Sequence, residues 1–76
     1  MKHNGFYYYK VDVMGKNGYS FMAKSKDEID ECEVIDILLG NNGFNDDEDA
    51  RYAVVDDLVS VSDINQFEMW DCVREI

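Results

Sequence analysis

The sequence predicts a small α+β fold: a three-stranded antiparallel sheet with one main helix in ββαβ order, followed by a C-terminal helical segment. Three observations carry this expectation. An aromatic and β-branched run leads into an Asn-Gly pair and a second apolar run, which is the pattern of a hairpin. A Ser-x-x-Glu box then opens a stretch with helical apolar spacing. A valine-rich segment after it supplies a third strand, without which a hairpin alone is only marginally stable.

Gly5 to Met14 reads as the first strand, since Phe6, three tyrosines and two valines suit a pleated, half-buried surface. Asn17-Gly18 lies in the Gly15 to Gly18 turn because both residues tolerate positive φ. Tyr19 to Lys24 returns as the second strand. Loops of two or four residues both put Tyr7, Tyr9, Val11, Val13 and Met22 on one face. The other face then carries Phe6, Tyr8, Met14, Phe21 and Ala23, so both faces are apolar. That second face needs cover, from Phe67, Met69 or Trp70 within the chain or from a second copy.

Ser25-Lys-Asp-Glu28 has the form of a capping box and predicts a helix over 26–39, with Gly40 and Asn41-Asn42-Gly43 as its stop. Ile29, Cys32, Ile35 and Leu39 share its apolar stripe, with Leu38 beside it. The expected core is Tyr9, Val11, Val13, Met22, Ile29, Cys32, Ile35, Leu39 and Val55. Tyr52 to Val61 is the third strand, with Val55, Val59 and Val61 on one side and Tyr52, Val54 and Leu58 on the other. The rival reading is a second helix capped at Asn45 to Glu48, with Ala50, Ala53 and Val54 on one face. In the tail, Asp63 to Gln66 caps a short helix; Phe67 to Val73 also alternates as a strand would. With no proline, linker or repeat to divide it, residues 1–76 are expected to form one domain.

Charge is the most informative quantity. Residues 1–26 hold five lysines and Asp12, for +4; residues 27–76 hold sixteen acids and two arginines, for −14, giving the net −10. Such a field repels nucleic acid and anionic membrane and attracts basic partners. No apolar run approaches the roughly 18 residues of a membrane span, and the N-terminal residues lack a signal-peptide core, so a cytoplasmic protein is expected. Cys32 and Cys72 are forty residues apart and read as buried thiols rather than a disulfide. Together with His3 they do not make up a structural zinc site.

Several chemistries can be weighed on the residues. Asn45, Asp47, Asp49 and Asp56 fall at positions 1, 3, 5 and 12 of a calcium loop. Ala50 stands where that loop needs glycine, and Asp56 where it needs a bidentate glutamate, so the module would be degenerate. No histidine, serine or cysteine sits in a nucleophile context, and a thiol buried on an acidic helix is deactivated; the expectation is no enzyme and no cofactor. Tyr7, Tyr8 and Tyr9 could stack on bases, but only beside a cationic groove. The remaining reading is mimicry, in which carboxylates stand in for the phosphates of a duplex. Its candidate partner-binding residues are Asp27, Glu28, Asp30 and Glu31 at the helix start, Asp46, Asp47, Glu48 and Asp49 in the loop, and Asp56 and Asp57.

In length, charge, hairpin-then-capped-helix layout and compact α+β plan, the chain resembles the small acidic proteins encoded by phages and mobile elements. Among these, anti-CRISPR and DNA-mimic anti-restriction proteins are nearest in character. The resemblance rests on general character and carries over no individual site residue. It implies a binding inhibitor of a bacterial nucleic-acid-targeting system, such as a CRISPR effector, located in the bacterial cytoplasm. The partner would be a basic nucleic-acid-binding protein, with no direct contact to nucleic acid or membrane. The alternative is an accessory interaction or structural protein of a mobile element, without mimicry.

Overall fold

A computed structural model describes residues 2–14, 18–40 and 53–76. The described chain runs β1 (Lys2–His3), β2 (Phe6–Val13), β3 (Tyr19–Ser25), α1 (Glu31–Leu39), β4 (Ala53–Asp56), α2 (Val61–Met69) and β5 (Val73–Glu75). The fold is α+β, and its sheet is mixed and five-stranded rather than antiparallel and three-stranded. Two strands were missed from the sequence. β1 pairs with β2 through His3↔Phe6, and β5 runs parallel to β3 through Met22↔Val73.

β2 is the hub of the sheet. β3 lies antiparallel along one of its sides, while β1 and β4 lie end to end along the other. Because successive strand residues point to opposite faces, β2 serves two cores. Tyr9, Val11 and Val13 join Phe21, Ala23 and Val55 under Val34 and Leu38 of α1. Tyr8 and Met22 face the other way, beneath Val59 and Ile64 and Phe67 of α2. The sheet is thus a middle layer with one short helix on each face.

The hairpin register corrects the expected faces. Val13 pairs with Tyr19 and Val11 with Phe21, so five residues, Met14 to Gly18, separate the last pair. An odd spacing puts Phe21 and Ala23 with Val11, and Met22 with Tyr8, the reverse of what two- or four-residue loops imply. The tight Asn-Gly turn is instead Asn4-Gly5, between β1 and β2, where φ is +53° and +84° as a type I′ turn requires.

The first helix also departs from expectation. Ser25 is the last residue of β3, paired with Tyr7, so its backbone is extended and cannot begin a helix at residue 26. Its hydroxyl accepts the Asp27 N–H at 3.2 Å as a local turn, and α1 begins only at Glu31, behind Asp30, which makes no side-chain cap. Val34 and Leu38, one turn apart, are the buried pair. Ile29, Ile35 and Leu39 are half-buried flanks, and Cys32 is exposed, so the stripe is rotated from Ile29, Cys32, Ile35 and Leu39 toward Val34.

The third strand ends at Asp56, well short of Val61. Val55 and Val59 fall in different cores, and Val61 opens α2. The capping box belongs to this helix: Ser60 Oγ accepts the Asp63 N–H at 3.1 Å, and Asp63 accepts the Ser60 N–H at 3.2 Å. Of the two tail readings the helix holds, opening at Val61 behind Ser60 rather than behind Asp63; the strand over Phe67 to Val73 does not, since β5 begins only at Val73. Of the expected cover, Phe67 meets Tyr8 and Phe6, whereas Phe21 lies on the opposite face and Met14 and Met69 are exposed.

α2 ends in a Schellman turn. The Asp71 N–H bonds to Glu68 O at 3.0 Å and the Cys72 N–H to Phe67 O at 2.9 Å, with Asp71 at φ +57°. A left-handed conformation costs an L-residue about 1–2 kcal/mol, less for aspartate, and a carboxylate at this helix end opposes the dipole. Asp71→Gly is therefore expected to raise stability by about 1 kcal/mol, read as a higher urea midpoint with an unchanged slope. A lower midpoint would mean that the Asp71 side chain contributes more than its backbone costs.

Candidate functional site

The acids singled out from the sequence divide into three groups. Asp27 and Glu28 lie in the segment joining β3 to α1, Asp30 is the residue before the helix, and Glu31 is its first residue. Asp56 ends β4 and Asp57 follows it. All six are exposed. Asp46, Asp47, Glu48 and Asp49 lie outside the described residues, as do Asn45 and Ala50 of the calcium-loop reading. The loop's remaining position, Asp56, instead accepts the Leu58 N–H on Oδ1 at 2.8 Å, a local turn.

Glu28, Asp30, Glu31 and Asp57 come together around one open groove of about 620 Å³, completed by Ile29 and Cys32. Tertiary structure makes this grouping, because β4 packs beside α1 and carries Asp57 to the helix's first turn. The connecting segment is held by Tyr9, whose hydroxyl accepts the Ile29 N–H at 3.0 Å. Ile29 also rests on the α1-side core, which turns its acidic neighbours outward. Glu31 and Glu33 occupy the first turn of α1, where the helix dipole favours negative charge. Among the described residues that line the groove, every charged one is acidic. Asp27 and Asp56 are not part of the lining.

What such a wall can do is accept hydrogen bonds and charge from guanidinium or ammonium groups presented by a partner. Among the described residues, no three His, Cys, Asp or Glu side chains are grouped to hold a metal ion. Cys32, expected on the buried stripe, is exposed on the groove's rim, and both cysteines are free thiols. No described helix is long and apolar enough to cross a membrane.

The tyrosine run has packing duties. Tyr8 and Tyr9 are buried in opposite cores, and Tyr7 is half-buried with the Lys2 ammonium 5.4 Å from its ring centre. Burial raises the Tyr8 phenol above its usual value, and the negative charge of Glu68 and its hydrogen bond, at 3.5 Å, add to that rise. Lys2, Lys10 and Lys24 lie on the sheet, with Lys24 set 4.6 Å over the Phe6 ring. Sequence reasoning passed over the outer side of α2, where Leu58, Met69 and Trp70 are exposed. The signal available was an apolar residue at Met69 on the polar side of a helix whose inward pair is Ile64 and Phe67.

In comparison with known proteins, the chain matches no family model, no curated protein and no solved structure.

Proposed function

We propose that this is a non-enzymatic acidic binding protein that mimics nucleic acid and inhibits a bacterial nucleic-acid-targeting defence protein, such as a CRISPR effector. The observation that carries the reading is the convergence of Glu28, Asp30, Glu31 and Asp57 on one groove. Packing fixes the segment that carries Glu28, Asp30 and Glu31 and brings Asp57 beside it, so the acids form a set array, which a solvated acidic tail does not. The partner's cationic groove would take this array in place of phosphates, and the net charge of −10 would speed the encounter at low salt. The protein would act in the bacterial cytoplasm, where such effectors meet their substrates.

The test is a matched pair of triple variants in a capture and displacement assay. The full chain is used to draw partners from bacterial lysate, and the captured protein is scored for release of its nucleic acid across a salt series. Glu28→Gln, Asp30→Asn and Glu31→Gln together should weaken displacement by about tenfold or more. Glu33→Gln, Asp36→Asn and Glu75→Gln remove the same charge elsewhere and should matter far less. Equal losses would show bulk charge instead of a shaped array. Binding that is indifferent to both triples and to salt would overturn mimicry.

A further inference from the structure

The outer side of α2 exposes apolar groups that neither core uses. Leu58 is 86% exposed, Met69 78% and Trp70 56%. Val61, also exposed, and Met69 lie on one ridge of α2 with Asn65 between them at four-residue steps. Leu58 precedes the first turn, and Trp70 closes the last with its ring edge-on to Phe67 at 5.6 Å. Turning this ridge inward is closed off, because Ile64 and Phe67 already seat the other side of the helix on Tyr8 and Met22.

The segment that bears this ridge holds acids alone, while Lys10 and Lys24 lie on the sheet face beneath α2. Residues 53–73 contain Asp56, Asp57, Asp63, Glu68 and Asp71, and no lysine, arginine or histidine. A partner covering the ridge must offer apolar side chains to Leu58, Val61, Met69 and Trp70 and cations to the acids beside them. We propose that the outer face of α2 docks a basic amphipathic helix of a partner protein. A second helix suits the site because side chains at four-residue steps form ridges that fit the grooves of a facing helix. The field that favours a cationic helix opposes an anionic lipid surface, and a second copy of the chain would bring like charges together. The proposal rests on the reading above only in taking the partner to be basic; it places the contact on α2 and makes it apolar as well as electrostatic.

Trp70, the only tryptophan, reports on the site directly. The full chain is titrated with a Leu/Lys amphipathic helical peptide of about 14 residues, long enough to span α2. A Gly/Lys peptide of equal length and charge is the control. The Leu/Lys peptide should bind saturably and shift Trp70 emission to the blue, and the Gly/Lys peptide should not. Leu58→Ser with Met69→Ser should weaken that binding by about tenfold or more, with the melting temperature retained because both side chains are exposed. The Glu28→Gln, Asp30→Asn, Glu31→Gln triple should bind the peptide normally even if it loses nucleic-acid displacement, which separates this contact from mimicry. Equal binding of both peptides, or loss in the triple but not in the serine pair, overturns the proposal. So does a Trp70 blue shift that follows self-association in sedimentation, or that appears equally on neutral phospholipid vesicles.

Discussion

Leu38→Ala is expected to lower the unfolding free energy by about 2–5 kcal/mol, a large part of the roughly 4–11 kcal/mol that a chain of this length commands. Leu38 is fully buried, and it packs among Tyr9, Val11, Val13, Phe21 and Ala23. α1 has only nine residues, and Leu38 is one of its two fully buried side chains, with Ile35 and Leu39 packed at the flanks. A helix this short does not persist in water without packing. Ile35→Ala is the informative contrast. Ile35 is a half-buried flank of the same cluster, and its truncation should cost less than about 2 kcal/mol. Urea midpoints of the two variants decide the matter. A larger loss at Ile35 than at Leu38 would return α1 to the stripe through Ile29, Cys32, Ile35 and Leu39.

Ile64→Ala is expected to cost a similar 2–5 kcal/mol through the other core. Ile64 is fully buried and lies among Tyr8, Met22, Val59 and Phe67, a smaller cluster than the one beneath α1. Its loss should also reach the sheet edge. The Schellman turn leads directly into β5, which is bound to β3 through Met22 N–H to Cys72 O at 2.8 Å and Ile76 N–H to Lys24 O at 2.9 Å. Unseating α2 loosens that lead-in, so amide exchange at Met22 and Ile76 should accelerate in the variant beyond the global loss. A midpoint shift below about 1 kcal/mol would show that α2 contributes little and that the α1-side core stands alone.

Much of this architecture could be read from residue order, and the failures have identifiable causes. Aromatic and β-branched runs located β2 and β3, and valines located β4. The register differs because loops of two or four residues ending at Gly18 are both even in length, whereas Val13↔Tyr19 leaves five residues between the strands. Alternating polarity usually exposes such a slip, but here Phe21, Met22 and Ala23 are all apolar and all buried, so it left no trace. The short strand β1 has no apolar run of its own, and the Asn4-Gly5 turn that folds it onto β2 overlaps the start of the Gly5 to Met14 strand expected from sequence. Two serines each stand three residues before an acid, and only Ser60 is free of strand pairing and able to cap. In the candidate site, Glu28, Asp30 and Glu31 were neighbours in sequence. Asp57 joins them only because β4 lies beside α1, and pairings of that range leave no local mark.

The sheet's outline bears on how these molecules behave when crowded together. The two long strands, β2 with eight residues and β3 with seven, are both interior, and the outer positions are held by β1 with two, β4 with four and β5 with three. An exposed edge invites another chain to add a strand in proportion to its length and flatness. Among the described residues no edge offers more than four consecutive backbone positions, and each of these outer strands carries at least one ionised side chain: Lys2, Asp56, Arg74 and Glu75. The segment richest in aggregation-prone residues, Phe6 to Val13, therefore has its hydrogen-bonding groups largely spent on its own neighbours. Fibril-like stacking of the native protein would first require β1, β4 or β5 to peel away.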